Sequence, residues 1–283
     1  MVKVTISNNK GLVQSGGGGC IAEAGLTATF EAAAAGGSGP TGLVIGKNSS
    51  PKAAANPFAE SSTQLWSFGT MLQYGDRTFR YAGIGGVAVT AGKLLQAPAA
   101  VANHRDLTVQ AAAAAAATSV TVTLGATAAT ANQYAQGYLH INDVAGQGQL
   151  LRIKSNPAAD ASATLTLTLY DPVVTALTTS SKADLIVCGY NDLVVAPAAE
   201  TGPVVGVTAM DMTADYFGWV QVQGPCSVLQ VGTVVLGNSA VRSATVAGGV
   251  APVAAATEVL QPIGDVSVVN GDGDNCVLNL NLP

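Results

Sequence analysis

The stretch "ATLTLTLY" restricts the fold of this chain more than any other. Leu165, Leu167 and Leu169 point one way along an extended backbone while Thr164, Thr166 and Thr168 point the other. Period-two alternation of this kind suits a strand with one buried face. The pattern recurs in "YLHIND", in "QLLRIKS" and in "SVTVTL", where Val120, Val122 and Leu124 share a face opposite Thr121 and Thr123. Asn, Gly and Pro clusters separate the runs, and no long amphipathic helical pattern lies between them. The spacing predicts an all-β fold, an antiparallel β-sandwich or barrel. The seven alanines from Ala111 favour helix but are too few to hold one in water, so they read as a lead-in of at most one helical turn before the strand.

Texture divides the chain. Residues 1–60 carry the Gly, Ala, Ser and Pro tracts "QSGGGGC", "EAAAAGGSGPTG" and "KNSSPKAAANP", whose few apolar anchors offset little ordering entropy; they predict an extended N-terminal arm. From "STQLWSFGTMLQYGDRTFRYAGIGG" aromatic residues become dense and "YGD" marks a turn. Residues 61–110 and 190–283 are expected to form a β core whose halves pair across a small inserted β unit, 111–189. In "YFGWVQVQGPCSVLQV", Trp219, Gln221 and Gln223 lie opposite Val220 and Val222. A Trp and Gln row on one strand face fits a contact surface, because Trp is enriched at interfaces. Trp66, Trp219, Gln221 and Gln223 are therefore the candidate interface, with packing of Trp219 into its own core as the alternative.

Composition narrows the function classes. Only 10% of residues are charged, against roughly 25% in soluble domains, and a charge-poor surface is one that other chains tend to cover. The net charge is −5 and Lys and Arg form no cluster, which argues against a nucleic-acid partner. No apolar run is long enough to span a membrane and "MVKVTISNNKG" lacks the pattern of a signal peptide, so the chain is expected to be made and folded in a cytoplasm. Cys20, Cys188, Cys226 and Cys276 lack short ligand spacing and are expected as buried free thiols; no metal and no cofactor is expected.

Catalytic patterns fail in turn. "TGLVIGKNS" has Thr41 and Asn48 where a phosphate loop needs Gly and a hydroxyl residue, and "GIGGVAV" has Ala88 in the place of the third Gly of a dinucleotide fingerprint, with no helical crossover after it to complete that fold. "NHRD" places His104 near Asp106 in a polar segment, which reads as a surface His, and His140 reads likewise on the polar face of its strand. Asp211 and Asp215 of "MDMTAD" read as turn aspartates rather than a glycosidic pair. "NGDGDN" has the oxygen density of a calcium loop, but a loop starting at Asp272 has Pro283 where the bidentate acid is needed, so it reads as a tight turn into the last strand, with a weak calcium site shared between subunits as the alternative. The chain is expected not to be an enzyme.

Three stretches, "STQLWSFGTMLQYGDRTFRYA", "LGATAATANQYAQGYLHINDVAGQGQLLRIKS" and "YFGWVQVQGPCSVLQVGTVVLGNSAV", resemble virion structural proteins of tailed bacteriophages, the β-rich proteins that decorate or cement the capsid shell. The resemblance covers roughly residue 61 to the C-terminus and rests on strand and turn wording. It implies a homotrimer assembled in the host cytoplasm, bound to the major capsid protein on the outer capsid surface and stabilising the shell. A head-fibre base or an adhesin binding host glycans is the alternative, with exposed Trp66, Trp219 or Tyr side chains stacking on sugars.

Overall fold

A computed structural model describes residues 55–253 and 261–282, together with the short strands β1 (Thr5–Ile6), β2 (Leu12–Val13) and β3 (Leu43–Ile45). The chain is all-β and its strand ladders are antiparallel. β1 pairs with β2, and β3 pairs with β4 (Met71–Tyr74). Most of the expected arm lies outside the described residues. Residues 55–60 do not behave as an arm. The Phe58 ring meets Tyr74 and Phe79 edge-on, and the Glu60 carboxylate accepts from Thr213 N at 2.7 Å and Thr213 Oγ1 at 2.8 Å.

Two sheets carry the fold. The larger has eleven strands and branches at its longest member. β5 (Arg77–Gly83) and β6 (Leu94–Gln96) precede the second sheet in sequence. The second sheet comprises β7 (Leu107–Thr108), β8 (Ser119–Thr123), β9 (Tyr138–Asp143), β10 (Leu150–Ser155), β11 (Thr164–Leu169) and β12 (Lys182–Ile186). The chain then returns to the large sheet through β13 (Val194–Val195), β14 (Val204–Thr208), β15 (Phe217–Leu229), β16 (Ser239–Arg242), β17 (Val250–Pro252), β18 (Pro262–Val268) and β19 (Asn275–Asn281). β6 pairs with β13 and β14, and β5 with β15, so strands on either side of the six-stranded sheet are joined to one another.

The six-stranded sheet runs β7-β12-β9-β10-β11-β8, and a bridge between Val109 and Val122 with Gln110 N donating to Thr121 O at 2.8 Å joins its two ends. The result is a small barrel, which begins at Leu107, ahead of residue 111. Alternation explains why it closes. Leu165, Leu167 and Leu169 point inward with Val120, Val122, Leu139, Ile141, Leu151, Ile153 and Leu185, all buried, while Thr164, Thr166 and Thr168 face out. On the outer face Thr164, Thr166 and Thr168 stand opposite Thr123, Thr121 and Ser119. The alanine tract makes no helical turn. Ala113 bridges to Leu177, and Ala116 takes a left-handed conformation at φ 67°, which ends any helical path.

The barrel meets the large sheet at an aromatic cluster. Phe68, Leu72, Phe79, Tyr81, Cys188 and Trp219 are buried together, and Cys188 lies where the chain leaves the barrel. From the barrel side, Gln136 Oε1 accepts from Phe68 N at 2.8 Å.

Candidate functional site

The four candidate interface residues separate. Trp219 is 3% exposed and packs edge-on against Tyr81 at 5.1 Å between ring centroids, with Trp66 at 6.3 Å. Gln221 is 1% exposed. Both belong to the interior rather than to a contact face, because β15 is covered on both sides there: Trp219 faces the aromatic cluster, while Val220 and Val222 face aliphatic ones. Trp66 is half-buried, and Gln223 is the one exposed member of the four.

Gln221 owes its interior place to the backbone. Between Gln221 and Gln223 the register of β15 with β5 shifts, and Gly224 stands at φ 85° with Asp76 O occupying the space a Cβ would need. The Gln221 amide donates into this bulge, toward the carbonyls of Gln223, Gly224 and Pro225 at 3.1, 3.3 and 2.9 Å. The Gln221 amide is itself buried and would be left without partners if it did not reach these carbonyls, so it stays folded into the bulge.

His104 is not a surface residue. It is fully buried in a 3-10 turn, Ala102–His104, at the barrel end. Its Nε2 lies 2.8 Å from Thr127 O and its Nδ1 meets the Tyr134 hydroxyl. A carbonyl can only accept, so Nε2 carries the proton and the hydroxyl donates to Nδ1. Burial pushes the Tyr134 phenol well above its ordinary value. The pair plugs the barrel, with both ring nitrogens engaged.

The turn readings have direct counterparts. Asp211 Oδ1 accepts from Ala91 N at 2.8 Å, and Asp215 sits at φ 61° with its N bonded to Gly85 O. In "NGDGDN" Asp272 Oδ1 accepts from Gly232 N at 2.7 Å. Among the described residues no group of three or more His, Cys, Asp or Glu is placed to hold a metal ion. Cys188, Cys226 and Cys276 are free and buried, whereas Cys20 lies outside the described residues. Burial raises all three thiols, Cys226 to about 12 against the opposing pull of the Arg77 guanidinium.

What sequence reasoning missed is the outer face of the barrel. Register aligns Ile186, Tyr138 and Arg152 across β12, β9 and β10, and Tyr170 N bonds to Arg152 O to extend the row. Tyr138 is 38% exposed, Ile186 42% and Tyr170 55%; the Arg152 guanidinium lies 5.8 Å from the Tyr170 ring. In the adjoining row His140 Nδ1 lies 3.1 Å from Asp184 Oδ2, and Asp184 Oδ1 accepts from Asn142 Nδ2 at 3.2 Å and Asp106 N at 2.8 Å. The available signal was the alternation of "YLHIND", which sets Tyr138, His140 and Asn142 on one face; their neighbours on β10 and β12 required the register.

Comparison with protein-family models, with curated proteins and with solved structures finds no match. The chemistry must therefore be read from the groups themselves. Among the described residues no Ser, Thr or Cys side chain is hydrogen-bonded to His140, whose bond to Asp184 leaves a polar pair beside exposed rings. Such a face offers stacking area and directed hydrogen bonds, the ingredients of a binding surface.

Proposed function

We propose that this chain is a non-enzymatic virion structural protein that decorates or cements the outer surface of a tailed-phage capsid, as a homotrimer bound to the major capsid protein. One observation carries the reading. Large apolar side chains stand exposed on a charge-poor molecule, both on the barrel face (Tyr138, Leu150, Tyr170, Ile186) and on the loop between β15 and β16 (Val235, Leu236). Surfaces of that kind gain by being covered. The resemblance of three stretches to phage decoration proteins supplies the partner.

Stabilisation would be additive. Each Å² of apolar surface removed from water contributes about 25 cal/mol, offset by lost freedom, and trimer avidity multiplies weak single contacts. The test is to mix the purified chain with capsids that lack it, sediment the particles and count bound copies. Saturation at a copy number matching icosahedral positions, with shells more resistant to heat, is the expected result; no binding would refute the proposal.

A second reading, a glycan-binding adhesin, is favoured by the Tyr138, Arg152, Tyr170 row beside His140 and Asp184. Aromatic rings can stack on sugars while the polar pair takes hydroxyl groups. Trp219, being buried, has no part in it. A glycan array separates the readings: binding that Tyr138→Ala abolishes supports the adhesin, and a blank array removes it.

A further inference from the structure

The cavity beside β15 is lined by a cation and, among the described residues, by no counter-ion. Its volume is about 260 Å³, and its lining includes Phe58, Arg77, Thr208, Gln221, Ser227 and Asn275 but no Asp or Glu. Arg77 is fixed by rings rather than by partners. Its guanidinium carbon lies 5.3 Å from the centroid of Phe58, 5.6 Å from Phe79 and 5.8 Å from Tyr74. Among the described residues the guanidinium makes no hydrogen bond and no ion pair. Cation–π contacts engage the charge but leave the N–H donors unspent. The nearby Asp211 carboxylate is committed to Ala91 N and is not one of the lining groups.

A guanidinium flanked by three rings, with its fork of donors free, matches the geometry of a carboxylate, which it can bind through two parallel hydrogen bonds. Hydroxyl and amide groups of Ser227 and Asn275 line the same space. The volume falls below the roughly 300 to 1,000 Å³ of drug-sized sites, so the occupant is small. We propose that this cavity binds a carboxylate group, with Arg77 as its main anchor. The carboxylate can come from a free organic anion or from an acidic side chain of a partner polypeptide, and the two share the same recognition chemistry. The inference does not depend on the capsid reading.

Isothermal titration of the full chain at low salt provides the test, using succinate and N-acetyl-glutamate N′-methylamide as probes. The expected result is saturable binding of at least one probe, with Kd on the order of 1 to 10 mM for an unaided ion pair at a partly open site. Succinate alone would assign a free anion, and the blocked glutamate a side chain. Arg77→Gln should abolish the binding, and Arg77→Lys should weaken it several-fold because the bidentate fork is lost. Because the Arg77 stem also packs on aromatic rings, a second variant leaves it in place: Ser227→Asp puts a carboxylate on an exposed lining position, and should block probe binding while raising the melting temperature. No saturable binding of either probe to the native chain would overturn the proposal, as would undiminished binding to a folded Arg77→Gln or Ser227→Asp variant.

Discussion

The carboxamide of Gln221 ties together the point at which β19 succeeds β14 along one edge of β15 while β5 pairs on the other. Gln221→Leu keeps the volume but withdraws both donors from three carbonyls, and should cost about 1 to 3 kcal/mol in urea unfolding. A loss below a few tenths of a kcal/mol would mean that other groups satisfy the bulge. Cys226 makes a different demand. Its thiol rises from an ordinary 9.0 to about 12 by burial, so above pH 9 the unfolded chain releases a proton that the folded chain keeps. This contribution is therefore intact below about pH 9 and is lost as pH climbs toward 12, at about 1.4 kcal/mol per pH unit for one group. Tyr134, also raised by burial, acts in the same direction at higher pH. Denaturant titrations of the native chain and Cys226→Val at several alkaline pH values should show a shallower decline in the variant; equal slopes would remove Cys226 as a cause.

At the scale of elements, Gly137 permits the approach of β9 to β12 at the mouth of the barrel. A Cβ there would lie 2.2 Å from Ile186 O and 3.0 Å from Cys188 N, both backbone atoms that cannot swing away. Gly137→Ala should thus destabilise by at least the 1 to 3 kcal/mol typical of overpacking. A urea midpoint unchanged from that of the native chain would show that the strands separate freely. The barrel strands were legible in sequence because each has one buried and one exposed face, so "TLTLTL" writes its orientation directly. β15 was not, since residues 218–222 are buried on both faces and its alternation of Trp and Gln with Val marks two interiors instead of a core and a contact surface. The burial of His104 left no trace in "NHRD" either. It depends on Gly125, whose missing side chain lets Asn103 O approach, and on Tyr134, which lies thirty positions further along the chain. The candidate surfaces were least legible. Arg77 meets its cavity only through the pairing of β5 with β15, distant in sequence, and Tyr138 meets Arg152 only through the register of β9 with β10.

For the molecule as a whole, the decisive feature is that the barrel core draws only on its own residues. Its buried members run from Leu107 to Leu185, and none comes from the large sheet. The connection to that sheet is narrow by comparison: the Phe68 N to Gln136 bond and the aromatic cluster around Cys188. A unit that buries its apolar surface against itself can unfold by itself, and a chain of two such units departs from two-state behaviour. The two tryptophans offer a means of seeing this, because Trp66 and Trp219 both belong to the large sheet's side of the joint, whereas Tyr134 is buried inside the barrel. Trp fluorescence then follows one unit, and far-ultraviolet circular dichroism follows both. Thermal melts read by the two probes should fail to coincide, and a fragment spanning residues 101–189 should give a cooperative transition of its own with a folded near-ultraviolet spectrum. Coincident melts together with an unfolded fragment would show that the aromatic joint makes the two sheets a single cooperative unit.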